Sequence, residues 1–125
     1  MLTGSCLCKN VGFEVDGVLS GVACCHCGQC RKQSGHHWAS CPVHDCGFHL
    51  IADRTLRWYM ASETAKRGFC ATCESFLFWK HVDEDEISIS MSAFDAPTGL
   101  TIKKHIFTAD KGDYYDIKDD APQSA

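Results

Sequence analysis

The sequence predicts an all-β domain, a small complex β-sandwich or open barrel. Two observations carry that prediction. Short segments alternate apolar and polar residues with the period of two that a half-buried strand requires. Turn-forming residues separate these segments at short, regular intervals, as in sandwiches and barrels. A third observation, ten cysteines in 125 residues, indicates what organises the fold.

Residues 11–15, Val-Gly-Phe-Glu-Val, form the first alternating run. Residues 48–52, 56–59 and 76–79 follow in the same style. Residues 86–91 alternate most cleanly, which places Ile87, Ile89 and Met91 on one face. Ile102 and residues 105–107 give a last run. Asp16-Gly17, Ala52-Asp53, residues 83–85, Pro97 with Gly99, and Lys111-Gly112-Asp113 supply the turns. One short stretch, about Gly28 to Ser34, reads as helix, with Gly35 able to end it. No repeat or linker divides the chain, so residues 1–118 read as one domain. The polar residues 119–125 read as a flexible tail.

Composition narrows the function. The apolar share is 45% and the charged share 22%, which suits a globular domain rather than a disordered one. The formal net charge is −4, with Lys and Arg scattered, so no basic face for nucleic acid is expected. No apolar run approaches the roughly 18 residues of a membrane span. Met1-Leu2-Thr3-Gly4-Ser5-Cys6 lacks the basic and apolar regions of an export signal. The expected location is cytoplasmic, a reducing compartment where thiols stay free or hold metal.

Cysteine spacing agrees with metal. Cys6-Leu7-Cys8 is too short to bridge without strain. Cys70-Ala71-Thr72-Cys73 is a knuckle that brings two sulfurs to one side of a turn. Cys25-His26-Cys27-Gly28-Gln29-Cys30 offers three sulfurs within six residues. These seven ligands divide naturally as four and three. A four-thiolate site is closed and structural, whereas three ligands leave a position open for water or substrate. The compact trio suits the open site, so Cys6, Cys8, Cys70 and Cys73 would form the closed one. Spacing leaves one ambiguity: Cys24-x-x-Cys27 is as good a zinc spacing as the one that begins at Cys25. Cys41 and Cys46 remain as spare thiols, expected to pack as small apolar side chains.

Seven thiolates around two dications leave a surplus of negative charge. Arg31 and Lys32 follow the trio, Lys66 and Arg67 precede Cys70, and Lys9 follows Cys8. Basic groups in such places stabilise thiolate. No acid or base for catalysis stands out. His26, His36 and His37 lie near the trio in sequence, and either of the last two could line a pocket. Trp38, Trp58 and Trp79 read as core, and Asp95 before Ala96-Pro97 as turn chemistry.

The combined pattern resembles a known family. Gly4-Ser5-Cys6-Leu7-Cys8, Val11-Gly12-Phe13-Glu14, Cys25-His26-Cys27-Gly28-Gln29-Cys30-Arg31-Lys32 and Arg67-Gly68-Phe69-Cys70-Ala71-Thr72-Cys73 are similar to motifs of the glutathione-dependent formaldehyde-activating enzymes. Centromere protein V shares that domain. Leu56-Arg57-Trp58-Tyr59 and Lys104-His105-Ile106-Phe107 extend the likeness over nearly the whole chain. The resemblance implies a fold like that of methionine-R-sulfoxide reductases, with two Zn2+ sites. It implies structural zinc at Cys6, Cys8, Cys70 and Cys73, and a second zinc at Cys25, Cys27 and Cys30, which favours Cys25 over Cys24. Two positions depart from the family pattern: Lys9 and Glu74 stand where glycine is usual after each cysteine pair. A lost glycine there means a changed backbone angle or local strain.

The implied activity is that of a zinc-dependent carbon–sulfur lyase or synthase acting on glutathione–aldehyde adducts or a related thiol adduct. The implied partner is glutathione or another small thiol, with neither nucleic acid nor membrane, and the sequence leaves oligomeric state open. Two other classes compete. A non-enzymatic zinc module for a protein partner would close the second site with Cys24, Cys41, Cys46 or a histidine. A thiol redox enzyme would need a late free cysteine, and none follows Cys73.

Overall fold

Ten strands and one α-helix make up the computed structural model, which describes residues 1–125. The smaller of two open sheets orders β1 (Leu2–Ser5), β2 (Gly12–Val15) and β5 (Phe48–Ala52). The larger orders β10 (Ile102–Ile106), β3 (Val22–Cys25), β4 (Trp38–His44), β9 (Glu86–Ser90), β8 (Phe76–His81), β7 (Ala65–Cys70) and β6 (Leu56–Met60). Every pairing is antiparallel except that of β10 with β3. Helix α1 (Gly28–Ser34) ends at Gly35 in the left-handed conformation. No helix is long and apolar enough to cross a membrane.

Period-two alternation builds the core. Phe13 and Val15 of β2, Val43 and Cys41 of β4, and Ile87 and Ile89 of β9 are all buried in one cluster. Phe13 is the hub, edge-on to Phe78 at 5.7 Å and to Phe94 at 5.5 Å between ring centres. Burying side chains of this size contributes about 1.5–3 kcal/mol each. Gly4 of β1 makes the close approach possible, because a Cβ there would strike the Phe13 ring and the Ala93 carbonyl.

Four strands lack the alternation that announces a strand. β1 and β3 are only four residues long, and β3 ends in two adjacent cysteines. β7 carries Lys66-Arg67-Gly68 at its centre. β4 contains Pro42, which usually argues against an interior strand. Pro42 lies beyond the stretch of β4 that pairs with β3, so its ring displaces no bond on that side. The reverse holds for β5, which alternates in sequence but turns only Phe48 inward as the outer strand of the smaller sheet.

Two expectations need correction. Cys41 is fully buried as expected, but Cys46 sits exposed on the single turn that joins β4 to β5. Residues 119–125, expected to fray, lie along β10 instead. The amide of His105 donates to the Pro122 carbonyl, that of Ser124 to His105, and that of Thr108 to Ser124. Polarity misled here because β10 has an open edge whose backbone groups need partners.

Candidate functional site

The cysteines gather into two clusters. Cys6 and Cys8 leave the end of β1, and Cys70 and Cys73 flank the turn from β7 to β8. Their four sulfurs lie within 4.8 Å of one another. Cys6 and Cys8 sulfurs are 3.6 Å apart, and those of Cys8 and Cys70 are 3.7 Å apart. A tetrahedral zinc with bonds near 2.3 Å requires sulfur separations of roughly 3.8 Å, and a disulfide requires about 2.05 Å. The spacing fits the metal and excludes the bridge.

Each cysteine pair is closed by the same device. The amide of Lys9 donates to the Cys6 carbonyl at 3.1 Å, and that of Glu74 to the Cys70 carbonyl at 2.8 Å. Both residues have positive φ, 67° for Lys9 and 66° for Glu74. The backbone thus keeps the left-handed shape that suits glycine, and these two side chains bear its cost.

Donors surround the sulfurs. The Val11 amide reaches Cys6, the Thr72 and Cys73 amides reach Cys70, and the Thr55 hydroxyl sits 3.2 Å from Cys70. Burial opposes ionisation of Cys70, but Thr55 and the two amides outweigh it and lower its pKa. Against the same opposition, the hydroxyl and amide of Ser75 draw Cys73 down to about 5. Cys8 has the Asn10 amide in its favour, yet burial and three neighbouring sulfurs push it up to about 11.

The second cluster is built on α1. Cys25 ends β3, Cys27 caps the helix, and Cys30 lies buried in its first turn. The Cys27 sulfur accepts from the Cys30 amide at 3.4 Å. All three sulfurs lie within 4.8 Å of one another. Cys24 is excluded by strand geometry: it alternates to the opposite face of β3, fully buried, with its pKa raised to about 11 by burial and by Asp119. Cys41 belongs to the core and Cys46 to the surface, so neither joins the trio.

Arg67 is the group that sequence reasoning misplaced. It precedes Cys70 by three residues, but in a strand that odd spacing puts it on the opposite face. It is buried, and both terminal nitrogens of its guanidinium lie 3.6 Å from the Cys30 sulfur. One of them also donates to Gln29 Oε1 at 3.3 Å. Cys30 is drawn down to about 6, first by the Cys25 thiol and then, against burial, by Arg67. Cys25 moves strongly the other way, because its proton is shared with the Cys30 sulfur. Lys66, by contrast, lies over the Trp58 ring at 4.4 Å, and Arg31 donates to the Asp110 carbonyl.

Behind the trio runs a hydrogen-bonded chain. His26, between Cys25 and Cys27, is fully buried and pairs its Nδ1 with the Tyr115 hydroxyl. Its Nε2 pairs with His105 Nδ1 at 2.9 Å, and His105 Nε2 meets the Asp119 carboxylate at 2.9 Å. Burial, then His37 and His105, hold His26 down at about 4, so its ring is neutral at physiological pH. His36 is exposed and bonds the Tyr114 hydroxyl, while His37 packs between His36 and His26. His105 lies in a stretch similar to the family's, but nothing local in sequence ties it to His26, and Tyr115 and Asp119 carry no local signal; β10 and the segment after it bring them in.

A groove of about 610 Å³ is lined by Trp58, Tyr59, Phe69 and Phe76 together with Arg67, Gln33 and Glu74. Trp38 is buried against Phe76, with ring centres 4.6 Å apart. Trp58 packs partly on the core, and Trp79 is half-buried. Asp95 accepts from Thr3 Oγ1 at 2.6 Å, which ties the turn after β9 to β1.

Comparisons with known proteins agree with this architecture. A crystal structure of a Rhodobacter sphaeroides protein superposes with a TM-score of 0.65 at 19% sequence identity, covering 97% of this chain and 98% of that one. At that identity the likeness speaks for the fold. No curated protein sequence matches at a significant level. A family profile described as glutathione-dependent formaldehyde-activating enzyme matches residues 1–110. Matched over most of its length, the chain belongs to the glutathione-dependent formaldehyde-activating enzyme family.

Proposed function

We propose that this protein is a zinc-dependent carbon–sulfur lyase or synthase acting on glutathione–aldehyde adducts of the S-(hydroxymethyl)glutathione type. One observation carries the reading: three convergent sulfurs at Cys25, Cys27 and Cys30, with no fourth cysteine or histidine among them. Cys6, Cys8, Cys70 and Cys73 would hold the structural zinc, and the trio the second. A zinc held by three thiolates supplies a vacant position at which an incoming thiol is kept as thiolate.

The residues around the trio suit that task. Arg67 offsets the negative charge that gathers at Cys30. His26 is bound to Tyr115 and His105, so both of its ring nitrogens are engaged away from the sulfurs. The helix cap at Cys27 and the buried first turn of α1 fix two of the three sulfurs on rigid backbone. In the synthetic direction the glutathione sulfur attacks the aldehyde carbon and forms the C–S bond. The C=O electron pair moves to oxygen, and the proton lost from the thiol ends there as the hydroxyl. The lyase direction reverses each step, and no oxidant or reductant enters.

The test is exchange spectroscopy on an equilibrium mixture of glutathione, formaldehyde and adduct. Zinc-loaded protein should accelerate exchange above the uncatalysed rate, and Cys27→Ser should abolish the gain. Millimolar glutathione should also perturb the visible bands of the cobalt-substituted protein. Exchange no faster than in buffer, with unchanged cobalt bands, would defeat the proposal.

A further inference from the structure

Beside the turn from β7 to β8 lies the groove of about 610 Å³, with no cysteine in its lining. Its volume is that of a pocket for a small organic ligand. Four rings form its apolar part: Trp58 and Tyr59 of β6, Phe69 of β7 and Phe76 of β8. Tyr59 is 58% exposed and the other three are half-buried, so ring surface is open to a ligand. Two charged side chains share the wall, Arg67 and Glu74. Arg67 is buried, and its guanidinium is engaged by Cys30 and Gln29. Glu74 is exposed, and the ion pairs of the chain, His49–Asp16, Lys80–Asp45 and His105–Asp119, leave its carboxylate out.

Glu74 holds this place at a cost. Its φ is 66°, a region that side chains other than glycine, asparagine and aspartate seldom enter. The turn uses only its amide, which donates to the Cys70 carbonyl, and glycine would supply that amide without strain. Strained positions of this kind concentrate where ligands are held. A free carboxylate beside aromatic faces is the chemistry that receives an organic cation. The rings attract the cation through their quadrupoles, and the carboxylate attracts it by charge. The molecule's own cations already behave so at two of these rings. Lys66 Nζ lies 4.4 Å from the centre of Trp58, and Arg67 Cζ lies 5.5 Å from that of Phe76. Tyr59 and Phe69 carry no such partner.

We propose that this groove binds a small organic cation, a primary or quaternary alkylammonium ion, with Glu74 as its counter-charge and Tyr59 and Phe69 as its ring faces. The site stands apart from the thiol chemistry of the trio and does not depend on it. It favours a cation over an anion, because the one carboxylate on its wall is unpaired and the one guanidinium is already engaged.

The experiment titrates the 15N-labelled, zinc-loaded full chain with choline chloride at constant ionic strength and follows its amide and indole resonances. The control is 3,3-dimethylbutan-1-ol, which has the shape of choline without the charge. Choline should shift the Trp58 indole signal and the amides of Tyr59, Phe69 and Glu74 saturably, and the neutral alcohol should bind about fivefold more weakly. Ethanolamine separates the two ammonium types: binding as tight as that of choline assigns the primary ion, and weaker binding the quaternary one. Glu74→Gln should weaken choline about fivefold, the range of an exposed ion pair. Glu74→Gly should do the same while it raises the urea midpoint, because it removes the strain together with the carboxylate. Should a Glu74 variant disturb the cysteine turn, Tyr59→Ala on the outer strand serves in its place and should also weaken choline. No saturable shift, an equal response to the neutral alcohol, or undiminished choline affinity in Glu74→Gln would each overturn the site. The visible bands of cobalt at the trio should ignore choline, so this result leaves the thiol reading to its own test.

Discussion

At the scale of single residues, the chain holds three left-handed positions without glycine, Lys9, Glu74 and Phe107, and the first two serve the cysteines. Lys9 and Glu74 each close a cysteine pair by donating an amide to the first cysteine's carbonyl, at φ of 67° and 66°. A side chain in that region costs on the order of 1 kcal/mol relative to glycine. Lys9→Gly and Glu74→Gly should therefore each raise stability by about 1 kcal/mol, read as a higher urea midpoint of the metal-loaded protein. Arg67 behaves in the opposite way. Its guanidinium is buried against Cys30 and Gln29, so Arg67→Met leaves a thiolate without its counter-charge. Second-layer partners of metal ligands typically contribute 10–100-fold in affinity. Chelator competition should show the trio's metal weakened by that factor in Arg67→Met, with the metal at Cys6, Cys8, Cys70 and Cys73 retained. Arg67 also shows the limit of reading by proximity in sequence. Its nearness to Cys70 suggested a partnership that strand parity forbids.

At the scale of elements, β10 and the residues that follow it decide more than their polarity suggests. Residues 119–125 make three backbone hydrogen bonds, two to His105 in β10 and one to Thr108 just beyond it, and Asp119 holds His105. Ending the chain at Lys118 removes these contacts together. At about 1 kcal/mol for each backbone bond, the loss should come to about 3 kcal/mol, measurable by chemical denaturation. Because His105 is the partner of His26, the truncated protein should also show faster amide exchange around Cys25 and Cys27. Elements with clean alternation, such as Glu86–Ser90, were legible from sequence, as was α1 with its glycine stop. Ala65–Cys70 and Trp38–His44 were not, since tertiary partners and not local pattern hold them in strands. The same distinction divides the site. The seven cysteines announce themselves by spacing, whereas His105 arrives through a parallel pairing that no local rule foretells, and Tyr115 and Asp119 through the segment that follows it.

At the scale of the molecule, the four-cysteine cluster and the aromatic core share residues. Cys6 and Cys70 belong to the same buried cluster as Phe13, Phe78 and Ile89. Metal at that cluster is therefore expected to act as part of the core. Structural zinc in small peptides contributes on the order of 10–16 kcal/mol, comparable to the 5–15 kcal/mol stability of a whole domain. Stripping the protein with a strong chelator should abolish the cooperative unfolding transition, and restoring zinc should recover it. Removing the trio alone, by Cys25→Ser with Cys30→Ser, should leave that transition in place at a lower midpoint.

The two sulfur cages differ in how much chain must be gathered to make them. Three thiols within six residues can meet while the polypeptide is still leaving the ribosome. The other cage waits for residues 62 positions apart, Cys8 and Cys70, to find each other. Closing so long a loop carries a larger entropic cost than closing a short one. During synthesis, then, the three-sulfur cluster would assemble first, and the four-sulfur cluster that ties distant parts of the architecture together would assemble last.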